Sequence, residues 1–215
     1  MGKYKLVVFD LAGTILHTTP GILASVRDAI RILGFPMPDE SVLERFVGPP
    51  IELSMKRQFQ LDDEQTSRAA AIFREQYQKD NLFKADPYEG IYDVFAGLVE
   101  RGIVPAVATF KRHAYAYPLL VHFGFDRYSD VLFGSDAETL TTKSAIIKAC
   151  MEKSGITDPA EVLMVGDTLY DAEGASALDI DFLGVTYGIG LNEEEQNKAD
   201  AIGFVSKAID ILKYV

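Results

Sequence analysis

Residues 7–15 read VVFDLAGTI: a short apolar run closes on Asp10 and then enters a turn that contains Gly13 and Thr14. With Lys5 and Leu6 before it, the run is uninterrupted and short, as suits a strand buried on both faces of a parallel sheet. The same pattern returns at Val104 to Thr109, Val131 to Gly134, Val162 to Asp167 and Phe182 to Val185. Helical spacing fills the intervals, as in Val94, Leu98 and Val99, then Tyr117, Leu120 and Val121, then Ile146, Ile147 and Cys150. Alternation of this kind predicts a doubly wound α/β core with a parallel, Rossmann-like sheet. Such sheets hold ligands at the carboxyl ends of their strands, so the polar residues that close the runs are the candidates for function.

One stretch breaks the alternation. Residues 17–82 carry helical periodicity throughout: Ile22, Val26, Ile30 and Leu33, then Val42, Leu43 and Phe46, then Ala70, Phe73 and Tyr77. They read as a small helical domain inserted after the first strand, leaving residues 1–16 and 83–215 to the α/β core. GFPMPD at 34–39 and VGPP at 47–50 punctuate the insertion as loops, because Pro lacks a backbone donor and Gly admits unusual backbone angles.

The chain has 215 residues, 48% of them hydrophobic and 25% charged, which is enough apolar material for one full core and a small insertion. A formal net charge of −11 repels polyanions at long range, so nucleic-acid and anionic-membrane partners are not expected. A phosphate-bearing ligand would need local donors and a cation. The single cysteine, Cys150, forms no intramolecular disulfide and falls at helical spacing among Ile146, Ile147 and Met151, which reads as core packing. The start MGKYKLVVFD has no basic segment leading into a long apolar one, and no apolar run reaches about 18 residues, so a cytoplasmic address is expected. Oligomeric state is not legible.

Asp10 at a strand end is placed to act as a nucleophile toward phosphorus, and Gly13 lets backbone amides approach a phosphate; alone, it reads equally well as a turn-capping residue. The amides of Gly13, Thr14 and Phe110 are the candidate phosphate donors. MVGDTLYDAEGA at 164–175 adds Asp167 at another strand end and Asp171 four residues on. Three acids brought together repel unless a cation joins them, and hard oxygen ligands suit Mg²⁺. Thr109 in AVATFK and Lys143 in TTKSAI complete the set, as a hydroxyl and an ammonium that can hold nonreacting phosphate oxygens, or more plainly as a turn cap and a solvated helix start.

With Asp10 to Thr14, Thr109, Lys143 and GDTLYD at 166–171 in this order, the chain resembles the haloacid dehalogenase-like hydrolase superfamily over essentially its whole length. The insertion is similar to the small cap of the phosphoglycolate phosphatase-like branch, and Gly48, Pro49 and Pro50 resemble that branch's substrate-facing cap loop. The resemblance implies a Mg²⁺-dependent phosphatase of small phosphorylated metabolites, an aspartyl-phosphate on Asp10, and metal ligation by Asp10, the backbone carbonyl at Ala12, Asp167 and Asp171.

At position 12 the sequence departs from that pattern. The superfamily's phosphatases carry an acid–base Asp there, two residues after the nucleophile, where this chain has Ala12. Loss of such a group commonly costs about 10² to 10⁴ in rate. Three readings follow: a slowed phosphatase; a carbon–phosphorus hydrolase like phosphonoacetaldehyde hydrolase, which has alanine at this position but needs a cap lysine, for which Lys56 is the nearest candidate; and a noncatalytic phosphate-ester binder. His17 lies close enough after Asp10 to be considered for proton transfer, though a plain loop histidine fits as well. His113 and His122 are expected in surface or packing roles, and Lys111 and Arg112 at a solvated helix start.

Overall fold

The computed structural model describes residues 2–47, 51–136 and 139–215, so the expectations on Gly48, Pro49 and Pro50 lie outside the described residues. From Leu6–Phe9 (β1) the chain runs through Leu16–His17 (β2) into helices Thr19–Leu33 (α1), Glu40–Leu43 (α2), Ile51–Phe59 (α3) and Asp63–Gln76 (α4). It continues through Asp86–Pro87 (β3), Ile91–Glu100 (α5), Val104–Arg112 (β4), His113–His122 (α6), Leu132–Ser135 (β5) and Lys143–Ser154 (α7). Val162–Gly166 (β6), Leu169–Ser176 (α8), Asp181–Val185 (β7), Glu193–Gln196 (α9) and Gly203–Val205 (β8) follow. The chain divides into two compact units, Met1–His17 with Pro87–Val215, and Thr18–Asp86.

The first unit holds a six-stranded sheet in the order β5-β4-β1-β6-β7-β8, with parallel pairing throughout. Chain order proceeds outward from β1 in both directions, which makes the carboxyl end of β1 the topological switch point. Alternation along β1 buries both faces. Leu6 and Val8 join Ala106, Ala108, Val162 and Met164 beneath Ile146 and Ile147 of α7 and Ala172 and Ala175 of α8. Phe9 points the other way and stacks on Phe95 of α5, ring centroids 4.8 Å apart.

Two helical stripes differ from the sequence expectation. In α5 the buried residues are Ile91, Val94, Phe95 and Leu98, a complete i, i+3, i+4, i+7 stripe, which leaves Val99 beside it and exposed. In α6 the buried residues are Ala116, Leu119 and Leu120, while Tyr117 and Val121 face solvent; the helix is apolar nearly all round, so periodicity did not identify its inner side. β4 runs past Thr109 to Arg112, with an irregular register against β5 between those two residues, so Lys111 and Arg112 end a strand and His113 starts the helix. β8 has three residues at the sheet edge, too few to show a period.

The second unit is helical. Leu23, Val26, Ala29 and Ile30 of α1 pack with Leu43, Met55, Leu61, Ala69 and Ala70. α1 stops at Gly34, whose φ of 71° closes the helix and opens the 34–39 loop. α4 starts with a reciprocal capping box: Gln65 N donates to Asp62 Oδ1 at 2.8 Å and Asp62 N donates to Gln65 Oε1 at 3.1 Å. Among the described residues no helix is long and apolar enough to cross a membrane.

Candidate active site

Because β4, β1 and β6 are neighbours in register, with Phe9 opposite both Val107 and Val165, Asp10 emerges between the ends of the flanking strands. Asp167 follows β6 directly, and Asp171 lies in the first turn of α8. One carboxylate oxygen from each of Asp10, Asp167 and Asp171 lies within 4.8 Å of the others, and all three residues are buried.

Lys143 enters this cluster from α7. Thr142 caps the helix by accepting from Ala145 N at 3.1 Å, which places Lys143 at its first residue. The Lys143 ammonium donates to Asp10 Oδ1 at 2.6 Å and to the Ala108 carbonyl at 2.9 Å. It also lies 2.6 Å from Asp171 Oδ1, an ion-pair contact without hydrogen-bond geometry. Its stem needs room against α8, and Gly174 gives it: a Cβ there would stand 2.5 Å from Lys143 Cγ.

The acids are held from their other sides. Asp171 Oδ2 accepts from Thr168 N at 3.0 Å and from Thr168 Oγ1 at 2.7 Å, so a helix-capping box also orients this carboxylate. Asp167 accepts from Thr14 Oγ1 at 3.1 Å and from Ile189 N at 2.9 Å. Gly13 makes that approach feasible. Its φ is 90°, and a Cβ on it would fall 2.2 Å from Asp167 Oδ2. The Gly13 amide itself donates to Leu16 O at 2.9 Å, so its part in the site is backbone shape.

Burial raises the pKa of Asp10, Lys143 pulls it back, and Asp171 pushes it up again, with a net rise. Asp167 is pushed up to about 7, by burial first and then by the charges of Asp10 and Asp171, against the two bonds it accepts. Burial would lower the pKa of Lys143, but Asp10 and Asp171 outweigh it and carry it above its ordinary value. Three mutually repelling acids around one cation are short of positive charge. Tyr88 is pushed up to about 12 by burial and by the charge of Asp167, and Tyr187 rises for the same first reason.

The other sequence candidates are placed as follows. Thr109 is buried within β4, three residues before its end, and its Oγ1 accepts from Lys111 N at 3.2 Å. The Phe110 carbonyl accepts from Ser135 Oγ at 2.7 Å. His17 packs its ring 6.1 Å from that of Tyr88, and His113 Nδ1 accepts from Gly134 N at 3.3 Å. Cys150 is fully buried, its thiol pKa raised by that burial, in keeping with packing. Sequence reasoning did not single out Thr168, Tyr187 or Ile189. Tyr187 donates to the Thr14 carbonyl at 2.9 Å and Ile189 uses only its amide, so the one available signal was the Gly-rich TYGIG after an apolar run. A cavity of about 540 Å³ beside Tyr88, Tyr187 and Lys207 is lined by none of the three acids or Lys143.

The haloacid dehalogenase-like hydrolase family matches residues 7–185. The chain belongs to this family. It is 33% identical to a 5′-nucleotidase of Pseudomonas aeruginosa over 89% of this chain and 87% of that protein. It is 28% identical to a phosphoglycolate phosphatase of Vibrio vulnificus over 96% of this chain and 93% of that one. A solved Clostridium difficile structure, provisionally described as a phosphatase, superposes with a TM-score of 0.93 at 29% identity, covering 100% of both chains.

Proposed function

We propose that this protein hydrolyses phosphate monoesters of small metabolites through an aspartyl-phosphate on Asp10, slowly because Ala12 stands where the family's acid–base Asp would be. The observation that carries this reading is the convergence of Asp10, Asp167 and Asp171 within 4.8 Å, with Lys143 at 2.6 Å from both Asp10 and Asp171. Three carboxylates in excess of one ammonium fit a small divalent cation, and their spread approaches the ~4 Å across a Mg²⁺ ligand shell. Asp10, Asp167 and Asp171, with the Ala12 carbonyl, are the residues that would hold it. Mg²⁺ bound there neutralises the acids and the phosphoryl oxygens.

The chain's own groups do the rest. Lys143 grips one oxygen of Asp10 and so fixes the direction of its carboxylate. In the attack, a carboxylate oxygen of Asp10 forms a bond to phosphorus as the ester P–O bond breaks. The departing alkoxide needs a proton, and the Ala12 methyl has none to give. Water then releases phosphate and regenerates the carboxylate, again without a base at position 12. Carbon–phosphorus cleavage would need an unprotonated amine on Lys56. Lys56 is solvent-exposed and held in an ion pair with Asp63 Oδ1 at 2.6 Å. A pure binder has no use for the orientation that Lys143 imposes on Asp10.

The test is phosphate release from a panel of sugar phosphates, nucleotides and phosphoglycolate, with melting temperature followed in parallel. Ala12→Asp is expected to raise Mg²⁺-dependent release by about 10²- to 10⁴-fold. Mg²⁺ is expected to raise the melting temperature of the wild type but not of Asp167→Asn. Equal release from wild type and Ala12→Asp, or no thermal response to Mg²⁺, would overturn the reading.

A further inference from the structure

Two large aromatic side chains stand in solvent beside this buried charge cluster. Phe110 directly follows Thr109, and the five residues before it on β4 are buried, yet its own exposure is 43%. The register against β5 is irregular between Thr109 and Arg112, and Ser135 Oγ donates to the Phe110 carbonyl at 2.7 Å. Tyr170 is 64% exposed in the first turn of α8, between Thr168 and Asp171. The two rings meet edge to face at 90°, centroids 5.9 Å apart. Lys143 Nζ lies 5.4 Å from the Phe110 ring centroid while contacting Asp10 and Asp171 at 2.6 Å. An apolar, aromatic pair therefore sits within one side chain's reach of the nucleophile, on elements far apart in sequence.

We infer that Phe110 and Tyr170 form a subsite for the alcohol part of the substrate, and that the preferred substrates are phosphate monoesters whose alcohol carries a flat aromatic ring. This rests on the phosphate-ester reading of the site. A perpendicular pair offers a face and an edge together, so a third ring can stack on one while meeting the other. A phosphoryl group on the charged floor would leave an attached ring level with these two. Stacking there removes apolar surface of both partners from water, which a small polar alcohol cannot do. Charge on Lys143 beneath Phe110 keeps that ring in place by cation–π attraction.

The experiment measures calorimetric affinities of two nonhydrolysable ligands, phenylphosphonate and ethylphosphonate, in Mg²⁺, for the wild type, Phe110→Ala, Phe110→Leu and Tyr170→Ala. The wild type is expected to bind phenylphosphonate at least about tenfold more tightly than ethylphosphonate, the scale of one aromatic stack. Tyr170→Ala is expected to bring that ratio to about twofold while its ethylphosphonate affinity stays within about twofold, which also shows that this variant is folded, and each Phe110 variant is expected to bring the ratio down likewise. A wild-type ratio near one, or a ratio kept in every variant, overturns the inference and leaves the phosphatase reading standing. Equal weakening of both ligands also overturns it, since Phe110 would then act through Lys143. If the wild type binds neither phosphonate, the phosphate-site reading falls and takes this inference with it.

Discussion

Buried polar side chains are handled differently in the two units. In the helical unit they serve the helices that carry them: Ser25 Oγ donates to Gly21 O at 2.8 Å and Thr66 Oγ1 to Asp62 O at 2.6 Å, each across four residues. In the α/β unit some are also bonded locally, as Asp171 is by Thr168, but others reach across the chain, Lys143 to Asp10 over 133 positions and Thr14 to Asp167 over 153. A local bond satisfies a buried group and ends there. A distant bond ties strand ends together and leaves charge without full compensation, which is what a reactive site requires. Asn81, buried in the helical unit with Oδ1 unpartnered and Nδ2 donating to Asp28 Oδ2 at 3.1 Å, departs from that local pattern.

The sharpest way to break this contrast is to remove one cation from each unit. Lys143→Met should abolish phosphate release and, in chelator, cost about 3–5 kcal/mol in urea unfolding, because a buried pair loses its only positive member. Lys56→Met should leave the unfolding midpoint within measurement error, since the Lys56 pair with Asp63 is exposed. Equal losses would erase the distinction.

Glycine substitutions come next. Gly34→Ala meets nothing within 4 Å and should cost only the strain of a left-handed residue, about 1–2 kcal/mol. Gly13→Ala carries the same strain and also drives a methyl into Asp167, so it should additionally abolish the thermal response to Mg²⁺.

Capping boxes sharpen the comparison further, because one motif occurs in both units. Asp62→Ala should cost about 1 kcal/mol by urea unfolding and leave the Mg²⁺ midpoint unchanged. Thr168→Ala should cost a similar amount and also shift that midpoint upward, because Asp171 Oδ2 loses its hydroxyl donor.

The smallest effect is expected at alkaline pH. Tyr88 gives up its proton near 10 when unfolded and near 12 when folded, so the folded state binds the proton more tightly. That contribution to stability is fully present below pH 10 and is lost as pH rises through about 12. In urea unfolding between these limits, Tyr88→Phe should show a shallower decline than the wild type. An identical slope would mean that burial around Tyr88 and Tyr187 does not hold the proton.

Much of this was written in single stretches of sequence. VVFDLAGTI located the first strand and Asp10, and MVGDTLYDAEGA located Asp167 and Asp171, because a buried parallel strand leaves an unbroken apolar run with a polar end. The inner face of α6 was not legible, since a helix apolar on most sides has no preferred stripe until the sheet selects one. Tyr187 and Ile189 were not legible either. Ile189 acts through its amide, which every residue but proline possesses, and Tyr187 through a bond to a carbonyl 173 positions away.

By itself the sequence determined the alternating core, the helical insertion, the family and the identities of the acids, because apolar period and residue type are local properties. It also determined that position 12 carries an alanine, whose methyl has no proton to give. Only the tertiary structure decided that Lys143 spans Asp10 and Asp171, that Gly13 leaves space for Asp167 and Gly174 for Lys143, and that Phe110 meets Tyr170 edge to face. Those are distances between elements, and they follow from strand order and packing, which no single segment encodes.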